Sequence, residues 1–413
     1  MATQATGGSR AASNRANAVS RRTTNGTSPR FARYLSLGDF EGAARRRLPR
    51  MIFGYVSGAA ETRTGMLDAE AAYRELSLVP NHLVDVSRRS QGRAMFGKRY
   101  ASPFGVSPLG GAAIIAYDGD RVLARAARAA EVPMILSATS LTRLEDVHRE
   151  CPDAWFQAYL PGDDVRIRAM LERVAGAGFE TLVITVDTPV PGNRENNVRS
   201  GFSMPLRITP RVAVDSVLHP RWLVGTIART FLKSGQPHFE NMDATQGPPM
   251  LSQALIRNMD DRDRLSWKHI RFIRELWKGK LIIKGLLSRP DIVKARETGV
   301  DGVIVSNHGG RQLDYAVSPL RVLPEIREEA KGLTVMIDGG IRRGTDVIKA
   351  LALGADFVFV GRPFLYAAVI GGTNGVLHAM RLLREEIDRN MALLGLRELE
   401  EVGPGLVRRF ANG

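Results

Sequence analysis

Four runs, LIIK at 281–284, GVIVS at 302–306, TVMID at 334–338 and FVFVG at 357–361, return at intervals that suit one β/α unit each. Three are apolar along almost their whole length rather than alternating, the pattern of strands buried on both faces of a parallel sheet. Between them lie stretches rich in Ala, Leu and Arg with helical periodicity. Working back toward the N-terminus, the same rhythm yields Phe104–Ser107, Met134–Ser137, Trp155–Tyr159 and Thr181–Thr185. Eight such units predict a closed TIM (β/α)8 barrel rather than an open doubly wound sheet.

One gap interrupts the rhythm. Residues 190–265 form a long insertion after the fourth strand, with Pro205, Pro210, Pro220, Pro237 and Pro248-Pro249 and few clean helical patterns before Asp261. A connection of that length in a compact domain is usually functional. Residues 35–100 read as a helical cap over one end of the barrel, with helices expected within Gly42–Pro49 and Glu61–Leu76. The expected domain therefore spans residues 35–405, followed by a short tail at 406–413.

At 413 residues and 44% hydrophobic content, the chain can bury a large core. No apolar run reaches the roughly 20 residues of a membrane-spanning helix. Cys151 is the only cysteine, so no intrachain disulfide can form and a reducing, cytoplasmic setting is expected. The net charge of +15 is partly local: residues 1–34 contain Arg10, Arg15, Arg21, Arg22, Arg30 and Arg33 and no acid. That segment reads as a disordered basic tail. Neither a metal site nor a nucleic-acid partner is expected.

Active sites of such barrels form at the C-terminal ends of the strands. The residues there are Ser137, Gln157 with Tyr159, Thr185 with Asp187, Lys284, Ser306 with His308, and Asp338. After strands seven and eight, Asp338-Gly-Gly340-Ile-Arg342 and Gly361-Arg362 supply glycine turns beside cations at helix starts, where barrels commonly bind phosphate. Either a phosphorylated substrate or flavin mononucleotide (FMN) suits that pattern. Lys284 favours the flavin: an ammonium closing an apolar strand needs a partner, and an isoalloxazine ring accepting electrons develops negative charge. The densest motif is Ser306-Asn-His-Gly-Gly-Arg-Gln-Leu-Asp314. In it His308 suits a general base and Arg311 a substrate carboxylate; after the fourth strand, Arg194 suits a second arm for that carboxylate and Asp187 the group that orients the imidazole.

With Thr185-Val-Asp-Thr-Pro189, Ser266-Trp-Lys268 and Asp338-Gly-Gly-Ile-Arg-Arg-Gly-Thr-Asp346, that motif resembles the FMN-dependent L-2-hydroxy-acid dehydrogenase and oxidase family over residues 35–405. His219-Pro-Arg-Trp222 and Pro237-His238 resemble most its bacterial L-lactate dehydrogenase branch, with mandelate dehydrogenase close by. The resemblance implies that Tyr55 and Tyr159 line the substrate site, that Arg194 and Arg311 hold the carboxylate, and that His308 abstracts a proton with Asp187 behind it. For FMN it implies Pro108, Leu109 and Gly110 near the ring, with Ser137, Gln157, Thr185, Lys284 and Ser306. Asp338, Gly340, Arg342, Gly361 and Arg362 would hold the ribityl chain and phosphate. Oxidation of L-lactate or a larger analogue is expected, with electrons passing to quinone or cytochrome, and O2 as the alternative acceptor. A hydride and a carbanion route are both open. A homotetramer is expected from the resemblance.

Gly110, Ala138-Thr139 and the Phe53-Gly-Tyr-Val56 stretch depart from patterns common in the family and leave substrate identity open. Residues 221–233 mix Trp, aliphatic and basic side chains. They are expected either to lie in a membrane interface on its inner, cytoplasmic face or to pack inward as a lid.

Overall fold

The computed structural model describes residues 29–203, 205–250, 252 and 261–410. The expectation of disorder for the basic tail falls outside the described residues up to position 28; Pro29–Phe31 form one 3-10 turn.

The eight expected strands are present: β1 Phe104–Val106, β2 Ile135–Ser137, β3 Trp155–Ala158, β4 Thr181–Thr185, β5 Lys280–Leu286, β6 Gly302–Val305, β7 Thr334–Asp338 and β8 Phe357–Val360. All pair in parallel with their sequence neighbours, and β8 returns to β1. A single bridge between Val106 and Met134 closes the barrel from β1 to β2. Strand period decides what faces inward. Ile135, Trp155, Val183, Ile282, Ile304, Met336 and Phe357 meet in one buried cluster inside the barrel. Two residues further along, on the same face of each strand, stand Ser137, Gln157, Thr185, Lys284, Ser306, Asp338 and Phe359. The apolar layer thus forms a floor, and all but one of the next inward positions are polar.

The floor is completed by a hairpin absent from the sequence expectation, Arg93–Met95 paired with Lys98–Tyr100. Its Met95 and Tyr100 join the cluster, and Tyr100 meets Phe357 edge-on at 5.7 Å. Ahead of it the cap has three helices: Leu37–Arg47, Arg50–Ser57 and Thr64–Arg74. Pro49 separates the first two, consistent with its lack of an N–H donor. Val407–Arg409, expected within a tail, instead pairs antiparallel with Leu76–Leu78.

The insertion is more helical than its composition suggests. It contains helices Glu195–Ser200 and Pro210–Val217, then a continuous helical stretch over Pro220–Trp222, a π segment Leu223–Ala228, and Arg229–Ser234. Two of its prolines explain the difference, because Pro210 and Pro220 start helices rather than break them. Pro210 occupies the first turn, and the Thr209 side chain accepts from Val212 N.

Candidate active site

His308 leaves the C-terminal end of β6 with φ +55, a backbone conformation rarely adopted by a residue carrying Cβ. Its own N–H donates to Ser306 Oγ at 3.0 Å. The neighbouring turn is held by Gly310, which packs so closely on the Thr64–Arg74 helix that a Cβ there would stand 2.5 Å from Met66 N. Local strain thus fixes the imidazole at the barrel mouth. Nδ1 meets Asp187 Oδ1 at 2.9 Å, and Nε2 faces the Tyr159 hydroxyl at 3.5 Å. Burial holds the His308 pKa below its ordinary value against the opposing pull of Asp187, with Lys284 and Arg194 adding to the depression. For Asp187, burial works upward, but His308 and Lys284 outweigh it and keep the carboxyl below its usual range. The pair is therefore a neutral imidazole on a carboxylate, the state of a base ready to take a proton at Nε2.

Cations surround that base. Arg311 Nη1 donates to the carbonyls of Tyr55 and Gly58 at 2.8 and 2.9 Å, at the C-terminal end of the Arg50–Ser57 helix. Among the described residues its Nε and Nη2 have no hydrogen-bond partner. Its guanidinium also lies 5.1 Å from the Tyr55 ring centroid. Burial and the charge of Arg194 push the Arg311 pKa down, a tension that an anionic ligand would relieve. Arg194 donates to the Arg311 carbonyl at 3.1 Å and to Gln312 Oε1 at 2.8 Å. Gln312, given no role from the sequence, also donates to the carbonyls of Asp187 and Val190, tying both loops together. Its place inside the densest motif was the available signal.

Beside this group lies a polar cradle. Lys284 is buried, with Nζ 2.7 Å from Ser306 Oγ and 3.2 Å from Asp338 Oδ2, so the ammonium has the carboxylate partner its burial requires. Ser107 donates to the same Asp338 oxygen at 3.1 Å. Ser137 donates to Gln157 Oε1 at 3.1 Å. Gln157 Nε2, Thr185 Oγ1 and Asp338 Oδ1 are buried without partners. Buried polar atoms are rarely left so, and this set includes an amide donor, a hydroxyl and a carboxylate acceptor. A flat heterocycle with carbonyl groups and a polyhydroxyl chain would satisfy all three.

Pro108, Leu109 and Gly110 form the turn after β1. Leu109 reaches within 3.4 Å of where a Gly361 Cβ would lie, and the Tyr55 hydroxyl stands 3.5 Å from the Gly110 carbonyl. On the far side, Gly340 has φ +75, and a Cβ there would lie 2.1 Å from the Ala69 carbonyl. The helices Gly344–Ala352 and Arg362–Leu394 start just beyond β7 and β8. Arg362 donates to the carbonyls of Val56, Gly58 and Gly309, while Arg342 pairs with Glu70 at 2.8 Å. These starts, with their flanking cations, have the makings of a phosphate site. The residues expected at the site from the sequence therefore come from the C-terminal ends of the strands, from the cap over them and, for Arg194, from the start of the insertion. No cluster of metal-ligating side chains occurs among the described residues.

A family model described as FMN-dependent dehydrogenase matches residues 44–409. The chain belongs to the FMN-dependent dehydrogenase family. It is an oxidoreductase, and FMN is its cofactor, as the three unpaired atoms of the cradle independently suggest. Its similarity to an (S)-mandelate dehydrogenase of Pseudomonas putida is 37% identity over 367 residues, covering 89% of this chain and 92% of the relative. An L-lactate dehydrogenase of Azorhizobium caulinodans is 38% identical over 376 residues, covering 89% and 96%. Among solved structures, one described as the monotopic membrane protein (S)-mandelate dehydrogenase superposes with a TM-score of 0.85 at 36% identity, covering 91% of this chain and 100% of that one. A mandelate oxidase superposes with a TM-score of 0.75 at 31% identity, covering 89% and 97%. Such members of the FMN-dependent dehydrogenase family, as their names state, act on lactate or mandelate, both 2-hydroxy acids.

Proposed function

We propose that the protein oxidises an L-2-hydroxy acid, L-lactate or a larger analogue such as L-mandelate, to the 2-keto acid. The observation that carries this reading is the line Asp187–His308–Tyr159, with contacts of 2.9 and 3.5 Å, set beside the half-buried guanidinium of Arg311. Arg311 and Arg194 bind the substrate carboxylate and orient the C2 carbon. His308 Nε2 removes the hydroxyl proton, Asp187 stabilises the resulting imidazolium, and the Tyr159 hydroxyl donates to the substrate oxygen. Tyr55, stacked on Phe202 at 4.3 Å, closes the side of the pocket. FMN, when bound, would accept the C2 hydrogen with its electron pair as the C2–H bond breaks and the C2=O bond forms. Gln157, Thr185, Ser137 and Lys284 would surround its ring, Asp338 its ribityl hydroxyls, and Gly340, Gly361, Arg342 and Arg362 its phosphate.

Electrons then pass to quinone or cytochrome at the inner face of a membrane, and the insertion makes the contact. Support comes from exposed Val214, Val217, Leu218, Val224, Phe231 and Leu232, interspersed with Arg211, Arg221, Arg229 and Lys233. Trp222 takes no part in that surface: it is buried, and its indole donates to the Ile114 carbonyl at 2.9 Å, anchoring the insertion to the barrel. Among the described residues no helix is long and apolar enough to cross a membrane. Oxidation with O2 as acceptor is the second reading, favoured by the superposition on mandelate oxidase. A homotetramer remains part of the proposal, checked by light scattering.

Anaerobic flavin reduction by a panel of L- and D-2-hydroxy acids tests the assignment. Reduction confined to L-acids is expected; no reduction by any of them would refute it. Peroxide formation in air-saturated buffer without another acceptor would select the oxidase reading.

A further inference from the structure

One cation at the mouth has no place in the machinery above. Arg262 lies in the 3-10 turn Arg262–Arg264, which follows Asp261 at φ +70. Two backbone features seat this turn against the loop after β3. Gly162 N donates to the Asp261 carbonyl at 2.8 Å, and a Cβ on Gly162 would stand 2.5 Å from Arg264 Cβ. Gly162 is only three residues beyond Tyr159 in the chain. As a result the Arg262 guanidinium carbon lies 4.7 Å from the centroid of the Tyr159 ring. A cavity of about 220 Å³, lined by Tyr159, Thr185, Thr188, Arg262 and Trp267, adjoins the pair.

Arg262 is half-buried, and the charged or titratable groups acting on it are Tyr159 and Arg166, neither of them a carboxylate. Asp291, on the wall of the same cavity, is engaged with the Ser288 hydroxyl at 2.8 Å. Among the described residues, the aromatic face is thus the main counterpart of this charge. A guanidinium over a phenol ring draws electron density from the ring and its oxygen, which makes the O–H a stronger donor. That hydroxyl is the group 3.5 Å from His308 Nε2, and the Tyr159 and His308 rings lie nearly parallel, 28° apart.

We propose that Arg262 is a positioning residue acting through Tyr159: it holds the phenol in register with His308 and strengthens its hydrogen bond to the oxygen that His308 deprotonates. The inference rests on the 2-hydroxy-acid reading of the site. It assigns a role in the rate of the reaction to the end of the insertion, through a cation 4.7 Å from the Tyr159 ring centroid.

The test is a double-mutant cycle on the flavin-loaded protein, with Arg262→Gln, Arg262→Lys, Tyr159→Phe and the Gln/Phe double variant. Anaerobic stopped-flow reduction separates the limiting rate from substrate affinity. Arg262→Gln is expected to slow the limiting rate about 3- to 30-fold, with substrate affinity within about 2-fold of the parent protein. Arg262→Lys recovers most of the loss, and Arg262→Gln has no further effect once Tyr159 is Phe. Full flavin content in each variant excludes misfolding as the cause. Multiplicative losses in the double variant, or weaker substrate binding at an unchanged rate, would overturn the proposal. The second outcome would make Arg262 a direct substrate ligand. Failure of the parent protein to be reduced by any 2-hydroxy acid overturns both readings; multiplicative losses in a reducible protein overturn this one alone.

Discussion

As the proposed base, His308 concentrates the chemistry in one residue, and its environment makes two predictions separable. Replacing it with Ala removes the base but none of the three unpaired cradle atoms, Gln157 Nε2, Thr185 Oγ1 and Asp338 Oδ1. The variant is expected to stay yellow while its rate of reduction by substrate falls by about 10²- to 10⁴-fold; rapid bleaching by L-lactate or L-mandelate would contradict the role. The second prediction concerns pH. Burial holds the His308 pKa below 6.5, so the neutral, proton-accepting form persists down to that depressed value. kcat/KM should therefore be flat through neutrality and fall only on the acid side of pH 6.5. Asp187 opposes the depression. Asp187→Asn should accordingly move the acid limb still lower while reducing the plateau, because the imidazolium loses its carboxylate. A limb moving to higher pH would contradict this balance. The residues of this proposal could be picked out as types in the sequence: His308, Asp187 and Arg311 come from strand-end motifs, and Arg194 from the start of the insertion. Arg262 could not, because an arginine at the end of a proline-rich insertion carries no local sign that it will lie over Tyr159.

At the scale of elements, the Asp338–Arg343 turn and the insertion behave oppositely. The turn is intolerant: at Gly340, positive φ and a close carbonyl both exclude a side chain. Gly340→Ala is expected to cost about 1–3 kcal/mol of stability and to weaken flavin retention, measured by thermal unfolding and by cofactor content after gel filtration. An unchanged Tm and full flavin content would show that the turn relaxes. The insertion tolerates surface change. Leu218 and Leu232 are exposed, so the double replacement Leu218→Glu, Leu232→Glu should release the protein from anionic vesicles. Its rate with a soluble artificial acceptor should remain unchanged. Retention on vesicles would remove the insertion as the contact. The helices here went unread in the sequence because prolines suggest breaks. At helix starts they do the reverse, and position within an element cannot be read from composition.

For the whole molecule, the barrel couples cofactor and stability. The residues proposed to hold FMN lie at the ends of all eight strands, so binding FMN would tie the whole barrel to one ligand. Removing the flavin should lower Tm, and re-adding it at 100 times Kd should restore roughly 2.7 kcal/mol; an apoprotein with the parent Tm would show that the cradle is rigid without it. The barrel itself was readable from periodicity and spacing, because strands buried on both faces must be apolar throughout and β/α units have a narrow range of lengths. The residues at strand ends followed from the same rhythm. Such features are local: they depend on a residue and its near neighbours along the chain. The hairpin whose Met95 and Tyr100 plug the barrel floor, the pairing of Leu76–Leu78 with Val407–Arg409, and the seating of Arg262 on Tyr159 are contacts between distant segments. Only tertiary structure settles these, because each depends on which surfaces remain uncovered once the barrel has closed.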